Sequence, residues 1–212
     1  MFLPLCPKMG YGKTTERPCF KVVLNLSEAE EFGRSQYRRA KNLRQRVMMH
    51  IIEIAKMDGV PDAEGGDARH GIADLGIEVP DVRVDQVYLL EGSMSAADLK
   101  RVADKVLLDP IIETAVIRKG ASLPRQRRFK DSVRAEWSVL KTFHHGVTDN
   151  VGQTTLEAIH NLGTKNVVSV MTAKRYRVSG RIPFSDISKI ATRFLSNPLI
   201  ESCVIEKTGG GS

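Results

Sequence analysis

The spacing of apolar residues along this chain changes period several times, and each change marks an element. VDQVYLLEG (84–92) and AKRYRVSG (173–180) are rich in β-branched and aromatic residues and close on a glycine, which predicts strands. A helical period follows each: Leu99, Val102, Ala103, Val106 and Leu107 in the first case, Ile187, Ile190, Ala191, Phe194 and Leu195 in the second. Ser95, three residues before Asp98, is a capping-box-like start. Pro110 and Pro198 mark where both helices stop, because the residue before a proline is driven out of the helical region. The short runs IIETAVI and LIESCVI then close each stretch as a further strand.

These two stretches repeat one another. Val82–Lys119 aligns without a gap on Val170–Lys207, 88 residues later, with 12 of 38 positions identical. Tyr88 meets Tyr176, Gly92 meets Gly180, Asp98 meets Asp186, Pro110 meets Pro198 and Glu113 meets Glu201. Generic helices rarely share glycine, proline and acidic landmarks at one fixed offset, so the pattern predicts a duplication.

Upstream of the second copy, WSVLKTFHH reads as a strand, followed by GVTDNVGQTTLEAIHNLG. Asp149 or Asn150 can cap a helix whose apolar face is Leu156, Ile159 and Leu162, and Gly163 sits where a left-handed residue ends it. NVVSVMT is the next strand, so each unit is β-α-β-α-β, with a middle strand long enough to bend or to count as two. The first copy has a longer front end. Phe20–Leu26 reads as its opening strand, and Tyr37–Met57 as a basic helix with Leu43, Val47, Ile51, Ile54 and Ala55 on one face. GVPDAEGGDARHG (59–71) reads as a mobile, turn-rich loop. The expected organisation is a flexible segment 1–19, a first unit 20–120 with a basic helical insertion, a basic linker 121–136, a second unit 137–207 and a Gly-rich tail 208–212.

Composition adds bounds. Hydrophobic residues make up 42% and charged residues 27%, ordinary for a globular chain with a real core. No apolar run approaches the roughly 20 residues that span a bilayer, and MFLPLCPKMG lacks the charged start of a secretory signal. Cys6, Cys19 and Cys203 are far apart and form neither a zinc pattern nor a disulfide framework, which fits a reducing cytoplasm. The net charge of +7 comes largely from Arg34–Arg46 and from RQRRFK (125–130), and suits attraction to nucleic acid or an acidic protein surface as well as a solvated face.

Candidate chemistry is sparse. GYGKTT (10–15) resembles the end of a phosphate-binding loop, but Pro7 stands where that motif needs a glycine. His144 and His145 are neighbours at a strand end and point to opposite faces, so they do not make a metal pair. No Gly-x-Ser-x-Gly elbow is present, and Asp98 and Asp186 are explained by helix N-termini. Nucleic-acid binding is disfavoured because Phe, Tyr and Trp are few and no RNP or GXXG signature accompanies the basic runs. Neither catalytic, metal nor cofactor-binding residues are expected.

GVTDNVGQTTLEAIHNLG, with VVSVMTAKRYRV and NPLIESCVIEK after it, closely resembles PurS, the small subunit of phosphoribosylformylglycinamidine synthase in de novo purine synthesis. Gly146, Val147, Asp149, Gly152, Leu162, Gly163, Val167, Val170 and Lys174 match the family pattern; Met171 and Ala173 replace its arginine and glycine. The resemblance covers Trp137–Lys207 well and Val79–Lys119 more weakly. In the first copy Arg83 keeps the arginine, Gln86 replaces the lysine, and only Gly66, Asp67 and Gly71 stand as a remnant of G-V-x-D-x-x-G.

The resemblance implies an α+β fold of two ferredoxin-like PurS-type units forming an intrachain pseudo-dimer. It implies a non-catalytic role that bridges a PurL-type synthetase and a PurQ-type glutaminase, or the same domains in one longer chain, and supports ammonia transfer. ATP, Mg and glutamine would be used by those partners. Further oligomerisation is compatible with it. An exposed strand with Lys174, Arg175 and Tyr176, together with Arg83, is the expected partner surface. Two rival readings stand beside it: a regulatory module binding a small ligand between tandem βαβ units, and a basic RNA-binding protein.

Overall fold

The computed structural model describes residues 48–120 and 135–208. The first unit runs β1 (Met48–Lys56), α1 (Ala63–Asp74), β2 (Val82–Gly92), α2 (Ala96–Val102, prolonged by a π-helical turn Ala103–Leu107) and β3 (Glu113–Arg118). The second runs β4 (Ala135–Phe143), α3 (Asn150–Asn161), β5 (Val167–Ser179), α4 (Phe184–Ile190, prolonged by Ala191–Leu195) and β6 (Glu201–Lys207). All pairings are antiparallel, and the six strands make one sheet in the order β3-β1-β2-β5-β4-β6. The architecture is α+β, two ferredoxin-like units whose sheets join at β2 and β5.

Local chemistry accounts for the matching elements. Ser95 and Asp98 form a reciprocal capping box at α2. Both second helices end in a widened turn, Leu108 N–H donating to Ala103 O and Ser196 N–H to Ala191 O at 3.1 Å. Ile187, Ile190, Ala191 and Leu195 are buried as their period predicts, whereas Phe194 is 39% exposed and lies on Gly71 of the other unit.

The helices cover one face of the sheet, and their cores are shared between units. Ala68 and Ile72 of α1 pack with Trp137, Val139, Tyr176 and Ile187 of the second unit. Ile159 of α3 packs with Ile52, Leu90, Leu99 and Val102 of the first. Each unit thus lends a helix to the apolar core of the other, and burial of these side chains, worth about 1.5–3 kcal/mol each, depends on both being present.

Two expectations for the first unit are corrected. Tyr37–Met57 is not a helix over its described part, because Met48–Lys56 is strand β1. Ile51 and Ile54 share a helical period, but Ile51 to Ala55 are all at most 4% exposed; a strand buried on both faces loses its alternation. The segment 59–71 is not a loop throughout, because Ala63–Asp74 is helix α1. Placing that helix reveals GVPDAEG, Gly59–Gly65, as the counterpart of GVTDNVG, Gly146–Gly152, at an offset of 87 residues. The remnant expected at Gly66, Asp67 and Gly71 is therefore not the motif, and from the motif to the next strand the two units differ in length by one residue. The expected strand Phe20–Leu26, the helical residues 37–47, the GYGKTT segment and most of the basic linker lie outside the described residues.

Candidate functional site

The two motif turns do the same work in each unit. Asp149 caps α3: its Oδ1 accepts from Gly152 N–H at 2.8 Å, while Oδ2 accepts from Thr172 N–H at 2.5 Å. Thr172 Oγ1 also donates to this carboxylate. Asp62 repeats the pattern, with Oδ1 on Gly65 N–H at 2.9 Å and Oδ2 on Val84 N–H at 2.7 Å. Pairing of β1 with β2 stops at Ile54↔Gln86, and pairing of β4 with β5 at Thr142↔Ala173. Each aspartate therefore satisfies a strand N–H just beyond the end of the ladder. The glycine three residues on is required by close approach: a Cβ on Gly65 would lie 2.2 Å from Val82 O, and one on Gly152 2.5 Å from Val170 O. Gly146 takes φ +89 and Gly163 φ +93, where glycine carries little penalty. Val147 N–H closes the turn onto His144 O.

Between the two apolar cores a polar row crosses the helix-covered face. Gln86, Lys174 and Lys141 are successive partners across β2, β5 and β4. Like charges facing across a ladder are unfavourable, and each lysine has a carboxylate: Lys174 pairs with Glu64, and Lys141 with Glu201 at 3.2 Å. A cavity of about 270 Å³ opens here, walled by Phe143, Val151, Glu201 and the two lysines. Burial, with Glu64 and Glu201 nearby, pushes the Tyr176 hydroxyl up to about 12.

The opposite face carries a buried ionic layer. Glu53 (0% exposed) meets Arg175 Nε at 2.5 Å and Arg118 at 2.7 Å. Asp85 accepts two hydrogen bonds from Arg177, at 2.7 and 2.8 Å. Arg175 also donates to Ser138 Oγ at 3.0 Å. Burial raises Asp85 to about 6 against the opposing pull of Arg177. Ile51, Val87, Leu89, Leu140 and Ala173 surround these groups.

The expected partner surface is corrected here as to exposure. β5 is an interior strand; Arg175 is 1% and Tyr176 6% exposed. Lys174 stays partly exposed, and Arg83 is partly exposed while donating to Val60 O at 3.2 Å and lying 3.5 Å from Asp81. Sequence reasoning passed over Glu53, Asp85 and Arg177. Their signal was present, since charges inside β-branched strands demand partners, but only the register brings them together. His50 is buried and neutral in character, accepting from Gly120 N–H and donating to Gly92 O, with burial lowering its basicity. His144 contacts Pro198 O and His160 contacts Val167 O; no group of three or more metal-ligating side chains forms among the described residues. No helix among them is long and apolar enough to cross a membrane.

The family model PurS, described as phosphoribosylformylglycinamidine (FGAM) synthase, matches residues 137–209. A comparison with curated proteins gives no match. The matched span takes in most of β4 and runs through β6, with the Asp149 turn in its first part, and supports a PurS-like domain at residues 137–209.

Proposed function

We propose that this chain is a tandem PurS-type pseudo-dimer and a non-catalytic component of FGAM synthase in purine biosynthesis. It bridges a PurL-type synthetase and a PurQ-type glutaminase, as subunits or as parts of a longer chain, and supports the passage of ammonia between them. ATP, Mg and glutamine are handled by those partners, in the cytoplasm. The observation that carries this reading is the PurS match to the second unit together with the first unit's Asp62 turn, which repeats both backbone hydrogen bonds of the Asp149 turn. Lys174 and Arg83, partly exposed cations near the junction, are the contact residues proposed for partners; Arg175 and Tyr176 support them from within the sheet.

Reconstitution tests it. Separately purified synthetase and glutaminase are assayed for glutamine-dependent and ammonia-dependent amidine formation, with and without this chain. A joint complex and glutamine-dependent turnover that both require the chain are expected. A chain that neither joins the complex nor changes either rate refutes the reading.

One observation favours a second reading, a small-ligand module: the cavity floored by Lys141 and Lys174 at the junction of the units. A thermal-shift screen with amino acids and nucleotides separates the two, since a bridging component shows no strong small-molecule response.

A further inference from the structure

On the helix-covered side the two units differ at the place where their motif turns meet the sheet. In the first unit Lys56 ends β1 and pairs with Glu113 at 2.7 Å, and Glu64, in the first turn of α1, pairs with Lys174. The counterparts of Lys56 and Glu64, 87 residues on, are Phe143 and Val151. Both are apolar and exposed, at 39% and 55%. The lysine that serves Glu201 stands two residues further into the strand, at Lys141, where the first unit has Ile54. The first unit thus fills this space with its own ion pairs. The second leaves a cavity of about 270 Å³, apolar at Phe143 and Val151 and polar at Lys141, Lys174 and Glu201.

We propose that this cavity docks a partner protein. It takes one aromatic or branched aliphatic side chain between Phe143 and Val151, with a neighbouring carboxylate of the same segment on Lys141 and Lys174. The inference rests on the bridging reading and names a surface that bridging would use. Size favours side chains over a free ligand, because sites for drug-sized molecules run to roughly 300–1,000 Å³. Exposed apolar groups gathered at a cavity mark a contact surface, where the same groups scattered singly would not. The charged residues that line it are two lysines against one glutamate, which favours an acid over a base. Each ammonium has three donors, so an ion pair with Glu64 or Glu201 leaves room for a further acceptor. The first unit supplies the pattern, since the Glu64 carboxylate already meets Lys174 from the matching place. Because Lys56 and Glu64 fill that place, the site occurs once in the pair of units, and the chain takes one such partner.

The test mixes the full chain, V151E and the double variant F143K with V151E with purified synthetase and glutaminase, and measures complexes by sedimentation. Both variants install what the first unit carries at the same positions, and V151E places an acid in an exposed first helical turn, where it is favourable. The parent is expected to bind one of the two subunits one to one. V151E is expected to weaken that complex by about tenfold and the double variant to abolish it. Undiminished binding by V151E overturns the inference and leaves the bridging reading standing. If the double variant does not fold, V151E decides. If the parent joins neither subunit, the bridging reading falls, and an NMR titration of the isotopically labelled chain decides the inference. Its probes are N-acetyl-leucyl-aspartate amide and N-acetyl-leucyl-lysine amide. Saturable shifts at Phe143, Val151 and Lys174 with the acidic peptide alone support the site; equal shifts with both peptides, or none, overturn it.

Discussion

Gln86 on β2 lies directly opposite Lys174 on β5, and the two are counterparts, 88 residues apart in the chain. In an antiparallel pairing of two like strands, a residue faces its own counterpart only at the two-fold axis. The pseudo-symmetry axis of the molecule therefore passes between these side chains, and everything that differs on either side is a departure from symmetry. Lys174 has its carboxylate in Glu64 of the opposite unit, while Gln86 is neutral. The cavity by Phe143 and Val151 lies where the first unit has Lys56 and Glu64, both ion-paired.

The Asp149 turn makes a strong stability prediction. D149A removes a helix cap and leaves the Thr172 N–H without its acceptor, so a loss of about 2–4 kcal/mol is expected, read as a lower urea midpoint with unchanged slope. D149N retains part of the capping and is expected to lose less. D62A should behave like D149A. A D149A protein as stable as the parent contradicts the role given to this carboxylate.

Glycines of helix α1 separate close approach from helix propensity. G65A places a Cβ against Val82 O and is expected to cost about 1–3 kcal/mol or more. G66A, next to it, meets nothing within 4 Å and is expected to gain up to about 1 kcal/mol. Chemical denaturation of the two variants side by side checks the contrast.

Asp85 gives a pH signature. Its carboxyl is raised in the fold from 3.8 to about 6, so the folded state holds the proton more tightly than the unfolded chain. Its contribution to stability is fully present below pH 4 and is lost as pH rises to about 6, by a few kcal/mol at order of magnitude. The parent's stability-versus-pH curve is expected to contain this descending step and the D85N curve to lack it. Identical curves would remove Asp85 as the cause.

Tyr176 gives a second signature at alkaline pH. Its hydroxyl is raised from 10.0 to about 12, so the fold loses this contribution as pH rises through that window. Ultraviolet titration is expected to show a late-ionising tyrosine component that diminishes in Y176F, burial raising Tyr88 as well. A parent titration in which every tyrosine ionises near its ordinary value contradicts the burial of this ring.

Much of the second unit was legible in the sequence because local rules act there without competition. The Asp149 cap, the left-handed Gly163 and the period of α4 follow from groups within a few residues of one another. The first unit was harder for a physical reason. β1 is buried on both faces and so shows no alternation, and α1 carries Gly65, Gly66 and Gly71, which lower helix propensity and imitate a loop. Those glycines answer to distant contacts, Gly65 to Val82 and Gly71 to Phe194.

The sequence by itself determined the repeated βαβαβ units, their caps and turns, and the PurS-like pattern of the second, because these depend on spacing and on neighbours. Only the tertiary structure decided which face of each strand is buried, that α1 and α3 pack into the opposite unit's core, and that Glu53 and Asp85 meet Arg175 and Arg177. Those outcomes depend on the β2–β5 register, in which residues about 90 positions apart become neighbours, and a shift of one residue would put Arg175 and Arg177 on the opposite face from Glu53 and Asp85.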